Sequence, residues 1–377
     1  MGISKSKKIA FIRPKSIPLA NVIVPKILAL FFSNNEIEVI DVNLLVKTRP
    51  DIILINTILT FSTYGRDIIS GYKKFKDAFW RTPYLFSVVK RILKKMLAGN
   101  DYLFTFQMQS LFDCSIPEVP HFIYTDHTHL ANLAYPNFDR RKLYPQRWLD
   151  LEKQIYQSAT LTFLWSSNIK QSLIEQYRYP EEKAVVIYIG SNITHTKSKI
   201  GNKSYEGQRI LFVGLDWERK GGPDLISAFK LVQNHYPSAS LTIVGVKPNI
   251  GLPSIQELGK INLREVKQQY DVATIFCMPT HIEPFGVVFL EAMQARLPIV
   301  STRVGAIPEL VQNGWNGWLV EPGDVSGIAE ALLKLLSDPD LCRNFGERSY
   351  SLAQERFSWE VVGEKLHKYI LGALSSG

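Results

Sequence analysis

The sequence predicts an α/β protein of two doubly wound units. Three observations carry this: two series of short β-rich apolar runs alternating with helical patterns, a polar stretch between them, and a length of 377 residues, enough for two separate cores. In the first series the expected strands are Lys8–Arg13, Ile37–Asp41, Asp51–Asn56, Tyr102–Phe106, His121–Thr125, Leu161–Leu164 and Val185–Tyr188, each rich in β-branched or aromatic residues. Thr194 to Gln208, with Lys197, Lys199, Lys203 and two glycines, reads as the linker. In the second series Arg209–Gly214, Ser240–Gly245, Ala273–Met278 and Pro298–Ser301 read as strands. Helices are expected between them over Pro223–Tyr236, Leu263–Tyr270, Phe285–Ala295 and Val325–Ser337. The domains drawn on this basis are 1–195 and 196–357. Ligands of such sheets bind beyond the C-terminal strand ends, so a cleft between two facing units would bring two substrates together.

Composition narrows the function classes. With 46% hydrophobic and 21% charged residues the chain is ordinary for a soluble protein. Cys114, Cys277 and Cys342 form no CxxC pair and leave one unpaired under any bonding, which points to a reducing compartment and a cytoplasmic location. Neither a spanning apolar stretch nor a signal-peptide pattern is expected. Charge is uneven: residues 1–200 hold 27 Lys and Arg against 16 Asp and Glu, the remainder 17 against 19. Much of the positive charge lies in residues 72–97, where Lys73, Lys74, Lys76, Arg81, Lys90, Arg91, Lys94 and Lys95 alternate with aromatic and aliphatic residues. Such a segment suits either peripheral contact with an anionic membrane or two ordinary amphipathic helices with solvated lysines. No nucleic-acid recognition module is visible.

The most informative block is His281-Ile282-Glu283-Pro284-Phe285-Gly286-Val287-Val288-Phe289-Leu290-Glu291-Ala292. Pro and Gly before an apolar stretch open a helix at about Phe285, leaving the Gly286 and Val287 N–H groups unpaired at the positive end of the helix dipole. That is a seat for a phosphate. Glu283 precedes the seat, and Glu291 lies about 12 Å further along at about 1.5 Å per residue. Two hydrogen-bond-accepting carboxylates at that separation suit the hydroxyl-rich ends of one diphosphate ligand.

With Ala306-Ile307-Pro308-Glu309-Leu310-Val311 and the run Gly314 to Asp324 after it, this block resembles the family 4 retaining glycosyltransferases of the GT-B fold, most strongly over residues 209–357. The resemblance implies two facing Rossmann-like domains with an interdomain cleft, the last helix, within 358–377, packing back on the N-terminal one. It implies that Glu283 contacts the donor sugar, Glu291 holds the nucleotide ribose, and Phe285, Gly286 and Val287 form the diphosphate seat. Phe212-Val213-Gly214-Leu215-Asp216-Trp217-Glu218-Arg219-Lys220-Gly221-Gly222 looks like the family's second phosphate element. There Arg219 and Lys220 would stabilise the departing diphosphate. Leu215 stands where many members carry Arg.

In the first domain, Tyr124-Thr125-Asp126-His127-Thr128-His129 follows a strand where the family often has a His near the transferred sugar. His127 is the expected contact, with Asp126 and His129 beside it; Ser166 and Asn192 match a segment on the acceptor side. Arg296 occupies a usual Gly position, Ala306 replaces the second Gly of a usual pair, and the loop Arg13-Pro14-Lys15-Ser16 lacks the paired glycines of relatives. Asp338-Pro339-Asp340 reads as a helix cap rather than a metal site. The family needs no catalytic metal, so neither metal nor cofactor is expected. The expected function is retaining, metal-independent transfer of a sugar from a UDP-, GDP- or ADP-linked donor to a glycan or lipid-linked acceptor. The alternatives are a hydrolysing sugar-nucleotide epimerase, which needs no acceptor, and a noncatalytic sugar-nucleotide binder or scaffold.

Overall fold

A computed structural model describes residues 7–136, 138–193 and 203–375. Two compact units emerge: Met1–Leu133, Asn137–Tyr188 and Val362–Gly377 form the first, and Ala134–Pro136 with Ile189–Val361 the second. The chain thus passes between units after Tyr188 and Val361, where the sequence reading drew the divisions after 195 and 357. Of the expected linker, 194–202 lie outside the described residues.

In the first unit, strands β1 (Lys8–Arg13), β2 (Ile37–Asp41), β3 (Tyr102–Met108), β4 (His121–Thr125), β5 (Leu161–Leu164) and β6 (Ala184–Val186) form one parallel sheet in the order β2-β1-β3-β4-β5-β6. Its central strands are covered on both faces and mostly apolar; every residue of β4 is buried. Phe106 and Phe122 each stack on Phe163, with centroids at 6.3 and 5.9 Å, tying β3, β4 and β5 together.

One expectation fails in this unit. Asp51–Asn56 is not a strand but the opening of helix Pro50–Ile69. Pro50 at the first helical position and Asp51 in the first turn suit a helix start, and Ile52, Asn56, Thr60 and Tyr64 form its buried face at a spacing of four. The β-branched composition was the misleading signal. Over residues 72–97 most apolar side chains are buried, as the reading of two ordinary amphipathic helices requires. Leu85, Phe86, Val89, Leu93 and Leu97 of helix Pro83–Leu97 are buried, four of them in one core with Ala10, Ile12 and Ile40, and Lys73 is itself buried on Asp67. Toward solvent that helix turns Ser87, Arg91, Lys94, Lys95 and Met96. Further exposed apolar side chains lie on helix Pro50–Ile69, at Leu54, Ile55, Ile58 and Phe61. No helix among the described residues is long and apolar enough to cross a membrane.

In the second unit, β7 (Arg209–Val213), β8 (Ser240–Val244), β9 (Ile255–Gly259), β10 (Ile275–Met278), β11 (Ile299–Thr302) and β12 (Gly317–Val320) form a parallel sheet in the order β12-β11-β10-β7-β8-β9. The two strands absent from the sequence reading, β9 and β12, are the sheet's edges, where one side lacks a partner and the apolar signal weakens. Helices Gly222–His235, Leu263–Val272, Val287–Gln294 and Val325–Leu336 occupy the expected places. Asp338 accepts from the Leu341 N–H at 2.8 Å and caps helix Pro339–Arg356, as expected of that Asp-Pro-Asp. Arg296 takes the left-handed conformation (φ 56°) that Gly would adopt freely. Its guanidinium pairs with Glu347 and lies 4.2 Å from the Tyr350 ring centroid, contacts that offset the strain. The last helix, Trp359–Ser375, ends in the first unit, where His367 packs on Phe31 at 5.3 Å.

Candidate active site

The second unit assembles its site beyond β7 and β10. Lys220 lies on the turn after β7 and Glu283 on the loop after β10; both are buried, and the Lys220 Nζ contacts Glu283 Oε2. Burial first, then neighbouring Arg219, pushes the Lys220 ammonium down to about 7, while Asp216 acts the other way. The pair is held by close backbone approaches. A Cβ on Gly221 (φ 72°) would lie 1.9 Å from the Pro279 carbonyl oxygen, and one on Gly305 (φ 54°) 1.9 Å from that of Glu283. Glycine at both positions therefore fixes the Lys and Glu loops against their supports.

The helix that follows Glu283 begins two residues later than the sequence suggested, with the same two amides at its start. Helix Val287–Gln294 begins at Val287, with Gly286 as its N-cap in the left-handed region (φ 90°) and Phe285 buried just before it. Neither the Gly286 N–H nor the Val287 N–H has a hydrogen-bond partner among the described residues, and Gly286 has no side chain to cap them. These are donors at the positive end of a helix dipole, beside the Lys220 ammonium.

Glu291, on the same helix, is buried. Its Oε2 accepts from the Tyr270 hydroxyl at 3.1 Å and its Oε1 from Asn192 Nδ2 at 3.3 Å. Burial raises its carboxyl to about 7 despite those two donors. Asn192, expected on the acceptor side, is thus placed in the second unit on Glu291. Tyr270 was missed: it falls in an expected helix, and nothing local separates a buried Tyr that holds a carboxylate from one that fills a core. Arg219 differs from expectation as well. Its Nη1 donates to the Ile282 carbonyl at 2.5 Å and its Nε to Asp216 Oδ2 at 3.3 Å, so it braces the loop carrying Glu283 and retains fewer donors for a ligand. Leu215 is 70% exposed and supplies no cation.

In the first unit the strand-end residues gather separately. His127 Nε2 accepts from Asn132 Nδ2 at 2.9 Å, which leaves the proton on Nδ1, a buried atom without a hydrogen-bond partner among the described residues. Desolvation holds its pKa below the usual imidazole value, against the pull of Asp126, so the ring is neutral at pH 7. His129 is structural: its Nε2 accepts from the Tyr144 N–H at 2.9 Å, its ring packs on Tyr144, and burial pushes its pKa down to about 3. Asp126 is half-buried beside His127. Ser166 is fully buried at the N-cap of helix Ser167–Tyr177 without capping it, and its Oγ has no partner among the described residues.

Comparison with known proteins places this arrangement. Residues 207–338 match the family described as Glycosyl transferases group 1. The chain is 30% identical over 197 residues, 49% of its length, to N-acetyl-alpha-D-glucosaminyl L-malate synthase of Bacillus anthracis. It is 27% identical over 237 residues, 57% of its length, to the capsular polysaccharide biosynthesis glycosyltransferase CapM of Staphylococcus aureus. The matches take in 50% and 62% of those relatives' own lengths, less than two thirds of either. Among solved structures, Anabaena HepE in complex with UDP superposes with a TM-score of 0.67 at 16% identity, over 97% of this chain and 100% of that one. Residues 207–338, which carry the Lys220, Glu283 and Glu291 loops, thus match the Glycosyl transferases group 1 family, and the two six-stranded parallel sheets have the GT-B fold.

Proposed function

We propose that this protein transfers a sugar from a nucleotide-sugar donor to an acceptor hydroxyl in polysaccharide or glycoconjugate synthesis, with retention of anomeric configuration and without a catalytic metal. The observation that carries the reading is the Lys220–Glu283 pair set beside two unpaired amides at Gly286 and Val287, with Glu291 buried further along the same helix. Lys220 and the two amides would hold the diphosphate and take up negative charge as the sugar–phosphate bond breaks. Glu283 would accept from the sugar hydroxyls and Glu291 from the ribose, the latter oriented by Tyr270 and Asn192. In the step itself the C1–O bond to phosphate breaks and its electron pair leaves with the diphosphate. The acceptor oxygen bonds C1 on the same face, and its proton passes to the departing phosphate oxygen, so no separate carboxylate base is needed. His127, neutral with a free Nδ1–H, would donate to a sugar hydroxyl. The relatives' names, a capsular polysaccharide enzyme and an α-glucosaminyl-malate synthase, and the UDP held by the HepE structure support this class of donor and product. Three free, buried cysteines suit action in the reducing cytoplasm. Any contact with an anionic membrane through 72–97 would rest mainly on lysines and arginines, with Phe75 and Met96 exposed among them.

The test is release of nucleoside diphosphate from UDP-, GDP- and ADP-sugars in EDTA, with and without a crude lipid and glycan extract, for wild type and Glu283→Gln. Acceptor-dependent release from one donor, lost in Glu283→Gln, is expected, with the product anomer read by NMR. Release without acceptor together with an epimerised sugar would instead make the protein an epimerase. Donor binding with no release under any acceptor would make it a noncatalytic binder.

A further inference from the structure

The first unit contains a cavity of about 290 Å³ whose lining includes Lys73, Lys74, Asp77, Arg81, His127 and Lys142. We infer that this cavity seats an oxyanion carried by the acceptor, a phosphate in the first place, so that the acceptor is an anionic molecule rather than a neutral glycan. This deepens the proposed function and rests on it, with the acceptor taken to bind beside His127 in the first unit.

Three strands of chemistry meet there. Four cations line the cavity against one carboxylate, Asp77. Lys73 is engaged by Asp67 and by the Arg141 carbonyl, but Lys74, Arg81 and Lys142 have no carboxylate partner among the described residues. Arg81 uses one Nη1–H on the Asp77 carbonyl at 3.0 Å and lies 4.9 Å from the Tyr144 ring centroid, which fixes the plane of the guanidinium and leaves donors to spare. Asp67 is taken up by Lys73, and Glu152, in an adjoining smaller cavity, is occupied by the Ser110 hydroxyl, the His129 N–H and the Tyr177 hydroxyl. His127 lines both cavities. A half-buried guanidinium and two ammonium groups form a donor set for an oxyanion. A neutral sugar would leave those cations without a counter-charge as water is displaced, and a cation would be repelled. The volume is that of a phosphate with part of the group that bears it.

A phosphate of this kind reaches the cavity either on a soluble molecule or on a lipid. The wall itself bears on the second source: Phe75, next to Lys74, stacks on exposed Phe61 at 5.2 Å, and Phe61 continues the exposed row of Leu54 and Ile58 on helix Pro50–Ile69.

The experiment separates this inference from the donor-site reading. Wild type, Lys142→Gln and Arg81→Gln/Lys142→Gln are titrated calorimetrically with inorganic phosphate and glycerol 1-phosphate, against chloride at equal ionic strength. Titrations are run without and with saturating nucleoside diphosphate, which removes any phosphate bound at Lys220. Phosphate binding that survives the nucleotide and weakens about tenfold in the double variant is expected. Lys142 is exposed and unpaired, so Lys142→Gln keeps the fold and should show an intermediate loss even if the double variant is unstable. Sedimentation with phosphatidylcholine vesicles, with and without phosphatidate, for wild type and Phe61→Ser, distinguishes the sources. Phosphatidate-dependent sedimentation lost in Phe61→Ser assigns a lipid-borne phosphate, and glycerol 1-phosphate binding without sedimentation assigns a soluble one. Phosphate and vesicle binding that are absent, or unchanged in both Lys142 variants, would overturn the inference. Failure of the nucleotide to bind would sink the donor reading while leaving the variant-dependent phosphate titration intact.

Discussion

Glu291→Gln should make the ligand-free protein more stable and a poorer binder of its donor, and the size of the first effect follows from burial. The Glu291 carboxyl titrates at about 7 in the folded protein against 4.5 for the ordinary group, because desolvation penalises the charged form more than Tyr270 and Asn192 relieve it. A folded pKa raised above the unfolded one means that the folded state holds the proton more tightly. Below about 4.5 the group is neutral in both states and there is no penalty. As pH rises from about 4.5 to 7 the unfolded chain ionises first, and folding stability falls. Above 7 the full penalty is present, at most about 3 kcal/mol at about 1.4 kcal/mol per pKa unit. Gln keeps the shape: its oxygen can accept from Asn192, and its amide can donate to the Tyr270 hydroxyl. The variant should therefore gain up to about 6–12 °C in Tm at pH 8, at about 2–4 °C per kcal/mol for a unit of this size, and nothing at pH 4.5. Thermal melts of both proteins from pH 4.5 to 8 measure this. In parallel, the Michaelis constant for the nucleotide sugar should rise, since an amide accepts ribose hydroxyls less well than a carboxylate. A Tm difference independent of pH would refute the raised pKa, and an unchanged Michaelis constant would remove Glu291 from the ribose.

Lys220→Ala strands the buried Glu283 carboxylate and should destabilise by about 3–5 kcal/mol in chemical denaturation while abolishing nucleotide release. Adding Glu283→Gln should restore most of that stability and none of the turnover; additive losses would mean the two side chains do not act as a pair. Gly305→Ala drives a methyl into the Glu283 carbonyl from a left-handed backbone and should cost about 1–3 kcal/mol together with at least tenfold in kcat/KM. Gly323→Ala, also left-handed (φ 85°) but with open space around it, should carry the backbone strain alone; equal activity losses in the two would show that Gly305 does not position Glu283.

The alternation of apolar runs specified both sheets through their central strands, because strands covered on two faces leave a continuous local signal, whereas the edge strands β9 and β12 did not announce themselves. The Glu283–Glu291 spacing and the Gly before the helix were equally legible, since one helix and its N-terminus place them by local geometry alone. What the sequence withheld were the partners supplied from far along the chain. Tyr270 and Asn192 reach Glu291 across 21 and 99 residues, and Gly305 comes under Glu283 only when β10 and β11 lie side by side. Residues 72–97 show the same limit from the other direction. Basic and aromatic residues at helical spacing describe a membrane-lying helix and a core helix equally well, and only the packing of Leu85, Val89 and Leu93 against Ile12 and Ile40 chose the core. That choice left Lys74, Arg81 and Lys142 around the His127 cavity, a positive field no single segment contains. Local periodicity and motif spacing thus determined the fold class and the residues of the second unit's candidate site. Burial, which depends on what folds over each side chain, decided their charge states, their partners and the face turned to solvent.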